Sequence, residues 1–515
     1  MASTGRVAAI TWSSVKGEFA AGAVPLTFGD HYAIRLGAGA VHDSRMHCGL
    51  AVRLPGPPPE PGSLRELVAE RVRVAAPALT YRPAGRGRNA YWEPDPGFDA
   101  ADHVEFHRLP RGAGAYQAVV DAMRLRPLSW ERPLWSLMVL YGEPGEGHVI
   151  CYRAHHAFQD GMGVVAAARA LLGTGTLPAP TGAGDGRGGD DGRGGDVGGG
   201  GGGSSAGAGA GGGAERGCGA GPVYRGSPGP ARRALADLGR LAAASPPWFA
   251  THPDPGESTG DGPRLEVANL DRAAFDAVSR ATGASIAQIG LALVTGALRT
   301  WNQPSMDGGP ALDGHGQPAA GPRGESRAGQ AAGPSAGPPD EWPVGPPRGL
   351  SRGLPVGLPV GLVGHREHTG LGNHTGLLPI TLPCDEPSPA ARLERIAEQT
   401  TITRIGHARR SARRLYGLPA AVAVPMLRLL SPLLGRGFPR RLGATALPVP
   451  RDLAGQGEVF AVPGLPPALA GMVVILPAGA NVAISAVFDP RVARTEEFPE
   501  LLRRELTESL APATR

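Results

Sequence analysis

Residues 194–217 read GGDVGGGGGGSSAGAGAGGGAERG. Such a segment cannot bury enough apolar surface to offset the entropy of ordering it. It is the centre of a tract expected to be a disordered linker over 174–229. A second biased tract at 302–350, which ends DEWPVGPPRGL, is expected to be a disordered insertion. Glycine (80) and proline (53) together exceed a quarter of the 515 residues, and much of that excess sits in these tracts. The chain must therefore fold from separated blocks: about 20–173, 230–301 and 354–515. The domain reading is 1–173, then the linker, then 230–515 carrying the insertion. GLPVGLPVGLVG (353–364) reads as a local duplication beside a strand, not as a solenoid repeat.

Hydrophobic residues make up 41% of the chain, enough for a core, and the net charge is only +5. Nearly all positive charge is arginine, since Lys16 is the only lysine. That bias looks compositional, and no nucleic-acid partner is expected. Cys48, Cys151, Cys218 and Cys384 are scattered without a C-x-x-C pair, which argues against a disulfide framework or a zinc ribbon. The N-terminus MASTGRVAAITWSSVKGEFA is too polar for a signal peptide, and no apolar run reaches ~18 residues. A cytoplasmic protein, at most peripheral to a membrane, is expected.

SLRELVAERVRVAAPAL (63–79) places Leu64, Leu67, Val68 and Val72 at helical spacing, and 116–128 reads as another helix. PLWSLMVLYG (133–142) and HVICYRA (148–154) read as paired strands joined by EPGEG, followed by a helix over 161–173. Helices are expected near 231–244 and 284–300. The last block mixes strands (LLPITLP, MVVILPA, NVAISAVF) with helices over 389–415. There is no regular βαβ alternation, so the fold class is α+β.

The densest chemistry lies in YRAHHAFQDGMG (152–163), where a strand meets a helix. Side chains alternate along an extended backbone, so His155 and His156 should point apart, one to a cavity and one to packing. Asp160 could cap the following helix, and Gly161 leaves room for a ligand or another backbone segment. A neutral imidazole is a natural general base near pH 7. It could take the proton of an alcohol or amine attacking a thioester, without a metal or an enzyme nucleophile. Acid–base chemistry, metal binding and packing all remain readings of the pair. Metal binding is the weakest, because adjacent histidines cannot easily both reach one ion and no third ligand is evident. Competing motifs lack context. GESTG (256–260) has neither the strand nor the helix of a nucleophile elbow, and no P-loop exists. Asn373-His374-Thr375 matches a glycosylation sequon, which means little without secretion.

HHAFQDG resembles the H-H-x-x-x-D-G motif of condensation domains and CoA-dependent acyltransferases. The flanking blocks resemble the bacterial wax ester synthase/diacylglycerol acyltransferases: LTFGDHYAIRLG…MHCGLAVRLPG (26–56), WEPDPGFDAADHVEFHRLP (92–110), RPLWSLMVLYG (132–142), GASIAQIGLALVTGALRTW (283–301), GLGNHTGLLPITLP (370–383) and VFAVPGLPPALAGMVVILP (459–477). They occur in family order.

The resemblance implies two chloramphenicol-acetyltransferase-like domains around a tunnel, which acyl-CoA enters from one side and an alcohol from the other. It implies His156 as the base, with His155 mainly structural and Asp160 holding the loop through an arginine. Trp135, Gly161, Gly372 and Asn373 would serve the substrate. The implied activity is fatty acyl transfer from acyl-CoA to a diacylglycerol or long-chain alcohol, giving triacylglycerol or wax ester, with no cofactor beyond the co-substrate. Two other readings stay open: a condensation-type enzyme using a carrier-bound acyl group, and a non-catalytic binding paralogue. Ala287-Gln288 stands where the family usually has Asn-Asp, and Ala461 replaces the asparagine of N-V-P-G. Arg409-Arg410 and Arg413-Arg414 precede the apolar stretch 418–438 and suit a membrane surface or lipid droplet, although prolines 419, 425 and 432 should break any long helix there.

Overall fold

The computed structural model describes residues 22–38, 43–110, 114–142, 147–173, 262–301, 353–362, 370–435, 441–449, 451–467 and 469–510. Both biased tracts, the expected helix near 231–244 and GESTG lie outside the described residues, as does most of the EPGEG turn. The fold is α+β and is built on two large sheets.

The first half supplies β1 (Val24–Pro25), α1 (Phe28–Leu36), β2 (His47–Leu54), α2 (Pro61–Ala75), β3 (Tyr81–Ala84), β4 (Tyr91–Pro94) and β5 (Val104–Arg108). It continues with α3 (Ala115–Leu125), β6 (Trp135–Tyr141), β7 (His148–His155) and α4 (Gly161–Leu172). The second half supplies β8 (Arg264–Asp271), α5 (Arg272–Thr282), α6 (Ile286–Trp301), β9 (Leu354–Gly361), β10 (Thr375–Leu382), α7 (Pro389–Gln399), α8 (Ile402–Tyr416) and α9 (Ala420–Gly435). It ends with β11 (Arg441–Ala446), the short α10 (Arg451–Ala454), β12 (Glu458–Val462), β13 (Leu469–Ala478), β14 (Asn481–Phe488) and α11 (Phe498–Leu510).

The first sheet has the order β12-β2-β7-β6-β5 and the second β10-β9-β11-β13-β14-β8, while β1, β4 and β3 form a small third sheet. The first sheet therefore takes an edge strand from the second half. β12 runs antiparallel to β2, with Val459 opposite Val52 and Ala461 opposite Leu50. Between the large sheets, Met138, Cys151 and Val119 of the first half pack with Val267, Phe460 and Val487 of the second.

β7 is buried along its whole length because both faces are covered. α4 lies against one face through Val164, Ala168 and Leu171. The other face meets the layer between the sheets through Cys151 and Val149. A strand buried on both faces loses its alternating pattern, so Val149, Ile150, Cys151 and Tyr152 follow one another without a charged residue between them.

Two expectations are corrected. GLPVGLPVG is not beside a strand but is itself β9, paired antiparallel with β10 from Leu354↔Leu382 to Gly361↔Thr375. Leu354, Val356 and Val360 point inward. Pro355 and Pro359 share the strand's other parity, so their missing N–H groups fall on one side, where pairing to β11 covers only Val356 and Gly357. The prolines after 418 do not break the chain there: α9 spans 16 residues and contains Pro425. The helix continues because Ala423 and Leu427 are buried against Phe28 of α1, which offsets the hydrogen bond that Pro425 cannot make. No single described helix is long and apolar enough to cross a membrane.

Candidate functional site

The HHAFQDG loop closes the end of β7 and starts α4. Asp160 is the N-cap, with extended backbone (φ −85°, ψ −178°), and its Oδ1 accepts from Gly163 N–H at 2.9 Å. This satisfies one of the helix's unpaired N–H groups. Asp160 Oδ2 reaches the second half, accepting from His374 N–H at 3.1 Å and Thr375 Oγ1–H at 3.3 Å. One buried carboxylate thus caps a helix and ties the two halves together.

The rest of the loop is sewn to the same segment, 370–375. Gly372 N–H donates to Phe158 O at 2.6 Å, and Gln159 Nε2–H donates to Gly370 O at 2.6 Å. Tyr152 O–H holds Gln159 Oε1 at 2.6 Å. Gly372 has φ +83°, a conformation that side chains disfavour, and it lies beside the Asp30 carboxylate.

Asp30 is the residue the sequence reading missed. It sits in a capping box at the start of α1, where Thr27 Oγ1 accepts from Asp30 N–H and Asp30 Oδ2 accepts from Thr27 N–H at 2.8 Å. T-x-x-D before an apolar helix is a legible cap signal. The same carboxylate accepts Trp92 Nε1–H at 3.1 Å and, from 343 residues away, Asn373 N–H at 2.6 Å. Burial raises the Asp30 pKa, while the donors from Asn373, Thr27 and Trp92 pull it back.

The two histidines meet different surroundings. His156 is partly buried; its N–H donates to Met46 O at 2.8 Å, and its ring Nδ1 lies 3.3 Å from Asn373 Nδ2. Its pKa is lowered, chiefly by burial, with His155 adding to the effect. The carbonyls of His156 and Gln159 and the Asp160 charge oppose it. The imidazole is therefore neutral at pH 7, where it can accept a proton.

His155 is fully buried. Its Nδ1 accepts from Ala157 N–H at 3.0 Å, and its Nε2 lies 3.5 Å from Asp43 Oδ1. Trp130 packs edge-on at 5.1 Å, and His47, directly opposite in the β2–β7 ladder, at 5.9 Å. Burial would raise the Asp43 carboxyl, but the imidazoles of His155 and His47 outweigh it and hold Asp43 well below the usual carboxylate range. His47 is lowered to about 4, mainly by burial.

The other sequence candidates are placed as follows. Trp135 is 1% exposed; its ring stacks on His103 at 4.4 Å and its Nε1–H donates to Leu79 O at 2.7 Å. Gly161 meets a second-half side chain: a Cβ there would lie 3.0 Å from Leu447 Cδ2. Asn373 is 7% exposed and locked in the seam, with no room for a glycan. Arg153 is spent on Ser136, Glu105 and the carbonyls of Met123 and Arg126. Gln288, at the family's Asn-Asp position, caps Ser285 and binds Thr400 Oγ1 at 3.0 Å. Ala461 N–H donates to Ser485 Oγ at 3.2 Å, joining β12 to the second sheet. Among the described residues, no group of three or more His, Cys, Asp or Glu is placed to hold a metal ion.

Residues 39–185 match the family described as wax ester synthase/diacylglycerol acyltransferase catalytic domain. A Mycobacterium bovis protein whose name assigns it to the diacylglycerol O-acyltransferases is 35% identical over 106 residues, which is 20% of this chain and 23% of that protein. A Mycobacterium tuberculosis protein of similar name is 32% identical over 105 residues, 20% of this chain and 22% of its own length. The chain thus spans under a quarter of the length of these relatives in the matches. Among solved structures, the first condensation domain of the calcium-dependent antibiotic synthetase aligns at a TM-score of 0.55 and 16% identity, covering 95% of this chain and 97% of its own. The fold is that of the condensation domains.

Proposed function

We propose that this chain, whose residues 39–185 match the wax ester synthase/diacylglycerol acyltransferase catalytic domain, is an acyl-CoA-dependent O-acyltransferase that uses His156 as general base. One observation carries the reading. The histidine motif is intact, and its second imidazole is neutral and sits in the seam where residues 370–375 of the second half close over the first. A site made by both halves suits a reaction with two substrates arriving from different sides.

The chemistry follows from a thioester being activated already. The acceptor O–H gives its proton to the bare ring nitrogen of His156 as its oxygen attacks the thioester carbonyl carbon. The tetrahedral intermediate collapses with C–S cleavage. The leaving thiolate takes the proton back from the imidazolium, so ester and free thiol form and the histidine is regenerated. Asp160, whose charge favours the protonated ring, steadies the imidazolium between the two steps. Holding both substrates beside one base supplies the remaining rate through orientation. The reaction asks for no further cofactor. His155, Asp43 and His47 form the buried support behind the base.

The acceptor is a diacylglycerol or a long-chain alcohol, presented at a membrane or lipid-droplet surface. Purified full-length protein should release free thiol from a long-chain acyl-CoA only when such an acceptor is present, with equal ester formed. Thiol release that needs a carrier-bound donor would move the protein to the condensation type. No turnover with either donor would make it a binding paralogue.

A further inference from the structure

We propose that Asp30 and Thr27 are positioning residues for the transfer: the capping box that starts α1 also grips the backbone of Asn373 and so holds residues 370–375 as the wall facing His156. They act through the segment they hold. The proposal rests on His156 being the base.

A capping box ordinarily serves its own helix, the two side chains each satisfying one backbone N–H. This one does that and more. Thr27 Oγ1 accepts from Asp30 N–H at 3.1 Å and donates its own hydrogen to Asn373 O at 3.3 Å. Asp30 Oδ2 accepts from Thr27 N–H at 2.8 Å and from Trp92 Nε1–H at 3.1 Å, which leaves Oδ1 for Asn373 N–H at 2.6 Å. One residue of the second half is thus held by its N–H and by its carbonyl from a single helix start. Asp30 is 0% exposed, and these three donors are all neutral. Burying a carboxylate without a cation is costly, and capping α1 asks only for the Thr27 N–H. The donors from Trp92 and Asn373 offset that cost and make the carboxylate a tie between segments.

The grip falls at the one place in the segment that the histidine loop does not hold. Gly372 N–H goes to Phe158 O, while His374 N–H and Thr375 Oγ1–H go to Asp160. Between them lies Asn373, whose described backbone hydrogen bonds both run to α1, and whose side chain comes within 3.3 Å of the His156 ring. Losing the grip therefore frees the residue beside the base and leaves the ties on either side of it in place. The expected effect is local: the wall shifts, and the fold stays.

The test uses three variants of the full chain. Thr27→Val keeps the shape and removes the hydroxyl. Asp30→Asn keeps the size and leaves one oxygen for three donors. Thr27→Ser keeps the hydroxyl and serves as the rescue. The first readout is amide hydrogen exchange without substrate. T27V and D30N should exchange faster across 370–376, with wild-type protection across 158–164, where Asp160 still caps α4. The second readout is kcat and KM with a long-chain acyl-CoA and a long-chain alcohol. Misplacement by about 1 Å costs on the order of 10²-fold, so kcat should fall by about that much with KM little changed. T27S should restore both readouts. Wild-type exchange at 370–376 in T27V overturns the grip even if the chain proves inactive, so this proposal and the base reading fail separately. Faster exchange there with wild-type kcat overturns the positioning role, as does a rise in exchange spread evenly over the chain, which marks a merely structural pair. If D30N does not fold, T27V and T27S decide.

Discussion

Asp160→Asn separates two duties that one carboxylate performs. Asparagine keeps an oxygen for Gly163 N–H, and it caps helices nearly as well as aspartate, so the start of α4 should survive. The other oxygen becomes an NH₂ group facing His374 N–H at 3.1 Å. The Thr375 hydroxyl can turn and accept, but the backbone N–H cannot. Leaving such a donor without an acceptor in the seam costs ~1–3 kcal/mol. Asp160→Ala loses the cap as well, a further ~1 kcal/mol. The assay is denaturant unfolding of both variants beside wild type. D160N should fall below wild type, and D160A below D160N. Wild-type stability in D160N with a loss only in D160A would show that the tie to residues 374–375 is idle. The pH profile adds a second readout. The Asp160 charge pulls the His156 pKa up against burial and against His155. Removing it lowers that pKa further, so the acid limb of kcat/KM should move to lower pH in D160N.

Acid should destabilise the fold through its buried neutral histidines. The folded-state pKa of His47 is about 4 against 6.5 in an unfolded chain, so below pH 6.5 the unfolded state gains the proton first. Stability from this residue is full above 6.5 and is lost as pH falls towards 4, by about 3 kcal/mol. Denaturant midpoints measured across that range should show a slope that flattens in His47→Gln; an unchanged slope would remove His47 as its source. Residues 1–173 expressed alone lack β12, which leaves the β2 edge unpaired. That fragment should have no transfer activity, and full activity in it would refute a site shared between the halves. Val422 and Leu429, seven residues apart on α9, are 51% and 78% exposed, and Arg409, Arg410 and Arg414 are exposed on α8. Flotation with anionic vesicles should weaken in a Val422→Asp/Leu429→Asp variant; unaltered flotation would place the membrane contact elsewhere.

Local pattern carried much of this fold in the sequence. NVAISAVF is β14 from end to end, and α4 begins and ends where its Asp160 cap and Gly173 say it should. β9 was hidden because GLPVGLPVGLVG read as a local duplication, although Leu354, Val356 and Val360 keep a period of two around Pro355 and Pro359. The seam was the least legible part. The T-x-x-D box of Thr27–Asp30 signals a helix start, but nothing local says that its carboxylate also binds a backbone N–H 343 residues away. Likewise, His155 and His156 are adjacent in sequence and separate in space. The partners that distinguish them, Asp43 for one and Asn373 for the other, come from distant segments.

The central claim is that His156 moves the proton in an O-acyl transfer. A general base contributes ~10²–10⁴-fold in rate. The direct measurement is ester formation, matched to thiol release, by wild-type protein and His156→Ala with the same acyl-CoA and alcohol, alongside thermal melting. The account predicts a loss of about that size in kcat with the melting curve preserved, because His156 is only partly buried. Wild-type turnover in His156→Ala, with activity abolished in His155→Ala and no loss of its stability, would contradict it.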